Sequence, residues 1–223
     1  MALILNIDTA TEKASICVSK NGQILAQLQN GQQREHASFV HTAIQQTLKN
    51  LGFSLSDMEA FAVTSGPGSY TGLRVGMATA KGFCYALSKP MIAINTLEVM
   101  TYAAIHTLEN TSEKTLFCPM IDARRMEVFA AIYNIRLQNV VPPGSVILDE
   151  HTFSNYAPEQ EVVFFGNGSA KFKQLQARRN IRFEDVEHDA SFLAPLAEKA
   201  FLEENFADVY YDQPAYLKNF HSF

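Results

Sequence analysis

Two stretches of this chain follow the same plan, and that repetition limits the fold more than any other feature. Residues 3–8 are an apolar run ending in Ile7-Asp8, and residues 116–122 are another ending in Ile121-Asp122. The first reads as a buried strand, since an apolar run without polar alternation needs cover on both faces. Behind it, residues 14–19 read as a second strand. Asn21-Gly22, the strongest short hairpin signal, turns the chain into a third strand at 24–28.

A helix follows over residues 35–51. Val40, Ile44, Leu48 and Leu51 fall at helical spacing, Ala43 and Thr47 fill the same face, and Gly52 sits where a helix terminates. A strand at 60–64 then feeds a Gly-rich loop at 65–72 and a helix at 73–87. Lys89-Pro90 ends that helix before a short strand at 91–94. The second half repeats the order. It has strands at 116–122, 126–135 and 145–148, a short helix at 149–156 and a strand at 162–165. Gly166-Asn167-Gly168, a helix from Ser169, a strand at 181–186 and a helix at 191–204 complete it. Pro142-Pro143-Gly144 reads as a tight loop, and residues 96–113 join the halves. Three strands followed by helix–strand–helix, present twice, predict an α/β chain with the duplicated actin-like, hexokinase-like ATPase (ribonuclease H-like) fold. The expected domains are two similar units, residues 1–105 and 106–223.

Composition narrows the function classes. The 223 residues are 47% hydrophobic and 18% charged, with a net charge of −5. Proteins that bind nucleic acid unaided usually carry a basic face. Here the only dense basic pairs are Arg124-Arg125 and Arg178-Arg179, so any RNA or DNA acted on is expected to be held by something else. The three cysteines, Cys17, Cys84 and Cys118, are widely spaced in apolar surroundings and read as reduced core thiols of a cytoplasmic protein. Residues 1–7 lack a basic leader, and no apolar run reaches the roughly 18 residues of a membrane span.

The residues that could carry chemistry do not assemble into a reaction site. A strand, a Gly-rich loop and a helix N-terminus can seat an anion. Yet Gly72 is followed by Leu73 rather than Lys, and Gly66, Gly68 and Gly72 are spaced two then four apart. Neither the P-loop nor the dinucleotide pattern fits, and a structural loop with glycines at positive φ is the favoured reading. In the helix behind it, Gly72, Gly76, Ala80 and Cys84 lie four apart, as do Ala78, Gly82 and Ala86. Such ridges of small residues admit a close neighbour, either inside the domain or from another chain. Asp8 stands where ATPases of this fold keep a metal-organising aspartate, but neither Asp8-Thr9-Ala10-Thr11 nor Asp122-Ala123-Arg124-Arg125 has the glycine of a phosphate loop. Both aspartates read as turn caps. No two of the six histidines lie three or four apart, and no Cys-x-x-Cys exists. The expectation is therefore no catalytic set, no cofactor and no metal.

Four segments together resemble a known family: residues 1–11 (MALILNIDTAT), residues 64–81 (TSGPGSYTGLRVGMATAK), Ile121-Asp122-Ala123-Arg124 with Glu127-Val128-Phe129, and Pro214-Ala215-Tyr216-Leu217-Lys218. In that order they are similar to the bacterial TsaB family, which usually ends the last motif in arginine where Lys218 keeps the charge. The resemblance implies a non-catalytic scaffold that activates a TsaD-like catalytic subunit. With a TsaE-like ATPase, that complex transfers threonylcarbamoyl from threonylcarbamoyl-AMP to N6 of adenosine 37 in tRNAs reading codons that begin with A. It also implies that tRNA is met only through the complex. The partner contact is a helical bundle made by helices 35–51 and 73–87. The candidate contact residues there are His36, Phe39, Val40, Ala43, Tyr70, Leu73, Arg74, Gly76, Met77, Ala80 and Lys81, and the same helices are candidates for pairing two copies of the chain. Leucine at Gly76 or Ala80 is expected to abolish partner binding while largely preserving the fold. The competing expectation is an ATP-dependent phosphotransferase or hydrolase on the same fold, against which the glycine-poor phosphate loops argue.

Overall fold

The computed structural model describes residues 2–31, 36–154, 160–175 and 181–218. Among the described residues the first series of elements is β1 (Leu3–Asp8), β2 (Ala14–Lys20), β3 (Gln23–Asn30), α1 (His36–Leu51), β4 (Ala60–Gly66), α2 (Tyr70–Leu87), β5 (Met91–Asn95) and α3 (Thr96–Thr107). The second series is β6 (Leu116–Asp122), β7 (Glu127–Tyr133), β8 (Asn139–Ile147), β9 (Val162–Phe165), α4 (Ser169–Leu175), β10 (Arg182–Phe183) and α5 (Ala190–Leu202).

The two sheets have one topology. The first runs β3-β2-β1-β4-β5 and the second, read from its other edge, β8-β7-β6-β9-β10. In each, the opening three strands form an antiparallel meander, and the next two add parallel on the far side of the first strand. The duplication read from the two Ile-Asp strand ends is therefore a duplication of the whole sheet.

The compact units are not cut at one point in the chain. One comprises Met1–Val99 with His188–Ala215, the other Met100–Glu187 with Tyr216–Phe223. The expected split at 105/106 thus differs from the packing, because α5 lies against β1 through β5 of the first sheet. In the first unit β1 is covered on both faces. Leu3, Leu5 and Ile7 join Val40 and Ile44 of α1 and Met77 of α2 in one core, while Cys17 of β2 meets Ala190 and Ala194 of α5 on the opposite side. That double cover is why β1 reads as a continuous apolar run. On the α5 side the amide of the buried Asn6 donates to Ser19 Oγ at 2.9 Å, and Ser15 Oγ accepts the Ala190 N–H at 2.8 Å. The second unit is held by Phe164 and Phe172, with Val128, Ile132 and Leu148 around them.

Several boundaries shift for local reasons. Asn21 and Gly22 both take positive φ, 53° and 74°, as a tight hairpin demands. Pro142-Pro143-Gly144 is not a loop but part of β8, which runs from Asn139 to Ile147. β8 is an edge strand whose register slips opposite Ala130 and Ile132, and an edge with a bulge is where a sheet tolerates proline. Residues 149–154 form turns rather than a helix, and β10 is only two residues long. Glu35, residues 155 and 156 of the expected short helix, and the Arg178-Arg179 pair lie outside the described residues.

Candidate functional site

In the first unit, β1 ends at Asp8, which is 2% exposed. One carboxylate oxygen accepts the Thr64 hydroxyl of β4 at 2.8 Å and the Ala10 N–H at 3.1 Å. Bonding the amide two residues on is the Asx turn expected of a capping aspartate. The other oxygen lies 3.6 Å from Nε2 of His188, at the approach to α5. This carboxylate is engaged by its own domain.

The Gly-rich loop closes onto the same turn. The Ser69 N–H donates to the Ala10 carbonyl at 2.7 Å, so one of the amides that could have cradled a phosphate is taken. Ser69 caps α2, its Oγ accepting the Gly72 N–H at 3.3 Å. The glycines are needed here for space more than for conformation. A Cβ at Gly68 would stand 2.1 Å from the Ala10 carbonyl oxygen, and one at Gly72 would stand 2.1 Å from that of Thr9. Only Gly66 in this loop has positive φ, at 106°. The expectation of several left-handed glycines is corrected: close backbone approach fixes Gly68 and Gly72.

The second unit builds a related turn with different chemistry. Asp122 ends β6 and accepts the Arg124 N–H at 2.6 Å, again the Asx pattern. Its side chain is 40% exposed and is held by the Lys171 ammonium at 2.7 Å. Partial burial pushes the Asp122 carboxyl up, but the Lys171 hydrogen bond, the Arg124 N–H and the two cations outweigh it, so it titrates below the usual carboxylate range. Glu127, at the start of β7, accepts from Ser145 and pairs with Lys218. The family motif's terminal cation thus has a defined partner. As Gly68 does in the first unit, Gly168 approaches closely, its Cβ position 3.0 Å from Ile121 C and 3.1 Å from Asp122 N. Among the described residues no three His, Cys, Asp or Glu side chains cluster as a metal would require.

The helix pair divides the candidate contact residues. His36, Val40, Ala43, Leu73, Gly76, Met77 and Ala80 are buried within the first unit, Phe39 and Lys81 are half-buried, and Tyr70 and Arg74 are exposed. The Arg74 guanidinium lies over the Tyr70 ring at 4.0 Å. The small-residue ridges also separate. A Cβ at Gly76 would stand 2.4 Å from Thr9 Oγ1 and 3.2 Å from Val63 Cγ2, whereas one at Gly82 meets nothing within 4 Å. The ridge Gly72–Gly76–Ala80–Cys84 therefore packs on the protein's own β1–β2 turn and sheet. Ala78, Gly82 and Ala86 face outward. Leucine at Gly76 or Ala80 would strike the protein's own core, so the expectation that the fold survives it is corrected. Spacing alone could not assign the two ridges; the side-chain size at Thr9 and Val63 decides it.

Two copies of a five-stranded meander-plus-parallel sheet, each with a capped aspartate at the end of its first strand, place the chain among the duplicated actin-like ATPase folds. Glucomannokinase from Arthrobacter, which uses polyphosphate or ATP, superposes with a TM-score of 0.54 at 10% identity, covering 91% of this chain and all of that one. YeaZ from Pseudomonas aeruginosa superposes with a TM-score of 0.83 at 23% identity, over 97% of this chain and 100% of that chain. The family model for TsaD, tRNA N6-adenosine threonylcarbamoyltransferase, matches residues 23–215. The tRNA threonylcarbamoyladenosine biosynthesis protein TsaB of Escherichia coli is 32% identical over 97% of this chain and 94% of its own length. The chain belongs to the TsaB family of tRNA threonylcarbamoyladenosine biosynthesis proteins, within the wider TsaD group.

Proposed function

We propose that this chain is a non-catalytic subunit that binds and activates a TsaD-like threonylcarbamoyl transferase, working with a TsaE-like ATPase on tRNA adenosine 37. The observation that carries the reading is the closed turn at Asp8. The carboxylate is engaged by Thr64 and Ala10, the Ser69 N–H by Ala10, and the space a phosphate loop would leave open is filled by backbone at Gly68 and Gly72. A chain that keeps the fold but fills its phosphate turn suits a partner role better than a turnover role. The contact surface we assign is the exposed side of α1 and α2: Tyr70, Arg74 and Lys81, the edge of Phe39, and the outward ridge Ala78–Gly82–Ala86. Small residues on an exposed helix face let a second helix approach closely, and Gly82 has no packing role of its own to offset its helix cost of about 0.8–1 kcal/mol.

Co-purification of the tagged chain with the transferase of the same cell tests this directly. Stoichiometric recovery of the transferase supports the reading, and its absence under conditions where both are folded contradicts it. The competing kinase-like reading rests on the shared fold with glucomannokinase. Micromolar Mg-ATP affinity for the isolated chain by calorimetry favours that alternative; no detectable heat favours the subunit.

A further inference from the structure

The hairpin between β6 and β7 carries two arginines at left-handed backbone positions, which its tight turn imposes and which arginine seldom occupies. Arg124 and Arg125 both have positive φ, 68° and 50°. The left-handed region costs a side-chain-bearing residue on the order of 1–2 kcal/mol, and strain of this kind gathers at functional positions. The β2–β3 hairpin meets the same demand with Asn21-Gly22, and the turn between β7 and β8 also sets a side-chain-bearing residue left-handed, Leu137 at 58°. The arginine tip is also firmly tied. The Arg124 N–H is held by Asp122 at 2.6 Å, the Glu127 N–H donates to the Arg124 carbonyl at 3.2 Å, and the Ala123 N–H donates to Glu127 O at 3.1 Å.

The charges around the tip are sorted. Each of the two carboxylates at its base is paired with a lysine, Asp122 with Lys171 and Glu127 with Lys218, and the Arg124 charge adds a longer-range attraction to Asp122. Both arginines are exposed, and among the described residues neither guanidinium lies within ion-pair distance of a carboxylate. The six groups leave a net positive charge at the tip, on a chain whose total is −5. A planar guanidinium fork suits a phosphate diester bidentately.

We propose that the Arg124-Arg125 tip contacts the phosphate backbone of the RNA substrate. The inference rests on the subunit reading above and adds a place where this chain touches tRNA. An isolated positive tip on an acidic chain gives a weak contact of its own, and serves once another subunit holds the RNA nearby.

The test uses the reconstituted complex and tRNA binding measured across a salt series. The variant Arg124→Asn/Arg125→Gly removes both charges with residues that accept the turn, and Arg124→Lys/Arg125→Lys keeps the charges without the fork. With the first variant, the slope of log affinity against log salt should fall by roughly 1–2, as expected for one or two lost phosphate contacts. Partner recovery should be unchanged and the melting temperature equal or higher. The lysine variant should retain most of the salt slope. An unchanged slope and affinity in the first variant overturns the proposal, as does a loss confined to ATP binding by the complex. If the wild-type chain does not join the transferase at all, the subunit reading fails, and this inference with it.

Discussion

Two glycines of α2 offer a paired measurement of which ridge faces inward. Glycine to alanine within a helix stabilises by about 0.8–1 kcal/mol from propensity alone, and Gly76 and Gly82 lie six residues apart in the same helix. At Gly82 the new methyl meets nothing within 4 Å, so Gly82→Ala should show the full gain. At Gly76 the methyl would lie 2.4 Å from Thr9 Oγ1, inside the 3.0 Å that real Cβ atoms keep. Thr9 is fully buried and its hydroxyl donates to the Gly72 carbonyl at 2.7 Å. Displacing it loses a hydrogen bond of about 0.5–1.5 kcal/mol and adds overpacking of about 1–3 kcal/mol. The net for Gly76→Ala is a destabilisation of about 1–3 kcal/mol, leaving the two variants roughly 2–4 kcal/mol apart. For a chain of this length each kcal/mol moves Tm by about 2–4 °C, so scanning calorimetry should separate them by about 5–15 °C. Urea midpoints should move the same way with little change in slope. If Gly76→Ala melts with or above Gly82→Ala, the inward assignment of the Gly72–Gly76–Ala80–Cys84 ridge is wrong.

Four further outcomes are expected. Gly82→Leu should leave the melting temperature of the isolated chain at or above wild type while weakening recovery of the transferase at least tenfold; unchanged recovery removes the outward ridge from the contact. Asp8→Ala should destabilise the chain by about 1–3 kcal/mol, because it strands the buried Thr64 hydroxyl and the Ala10 N–H. A folded Asp8→Ala protein in complex should still support tRNA modification, and complete loss of modification with partner binding intact would show a carboxylate acting in the chemistry. Asp122 titrates below its unfolded value of about 3.9, so its contribution is present above that pH and is lost as pH falls through the lower folded value. Acid titration of stability below about pH 5 should therefore be steeper for wild type than for Asp122→Asn, and parallel curves would contradict the Lys171 pairing. Burial pushes the Cys17 and Cys84 thiols up to about 12 and Cys118 higher still. A thiol reagent at pH 8 should find no fast-reacting cysteine in the folded protein and all three after denaturation.

Much of the first unit could be read from the chain because its local signals agree with its packing. Asn21-Gly22 sets one hairpin, the Val40–Ile44–Leu48 stripe sets α1, and the doubly covered β1 shows as unbroken apolar sequence. The second unit was harder where an edge hides ordinary signals. Pro142 and Pro143 sit in a strand because β8 is an edge with no strand on its outer side and its register already slips there. The return of α5 to the first sheet leaves no mark in its own sequence, since a helix with Leu193, Ala194 and Ala197 inward would bury that face equally well on either sheet. At the candidate site the residue types were legible and their neighbours were not. The missing glycines beside Asp8 and Asp122 suggested turn caps, and both aspartates do bond the amide two residues on. The two ridges of α2 look alike in sequence and differ only in what each faces. The strained backbone of Arg124 and Arg125 has no signature in sequence at all, because only the hairpin geometry imposes it.

On the reading proposed above, this chain activates a transferase rather than performing the transfer. The decisive measurement is threonylcarbamoyladenosine formed on unmodified tRNA by purified components, with the chain, the TsaD-like transferase and the TsaE-like ATPase each omitted in turn and threonylcarbamoyl-AMP supplied. No product is expected from this chain alone, little from the transferase and ATPase without it, and full modification only when the chain is restored, with Asp8→Ala restoring it as wild type does once folded. Product formed by this chain without the transferase, or full activity of the transferase and ATPase without this chain, would contradict it.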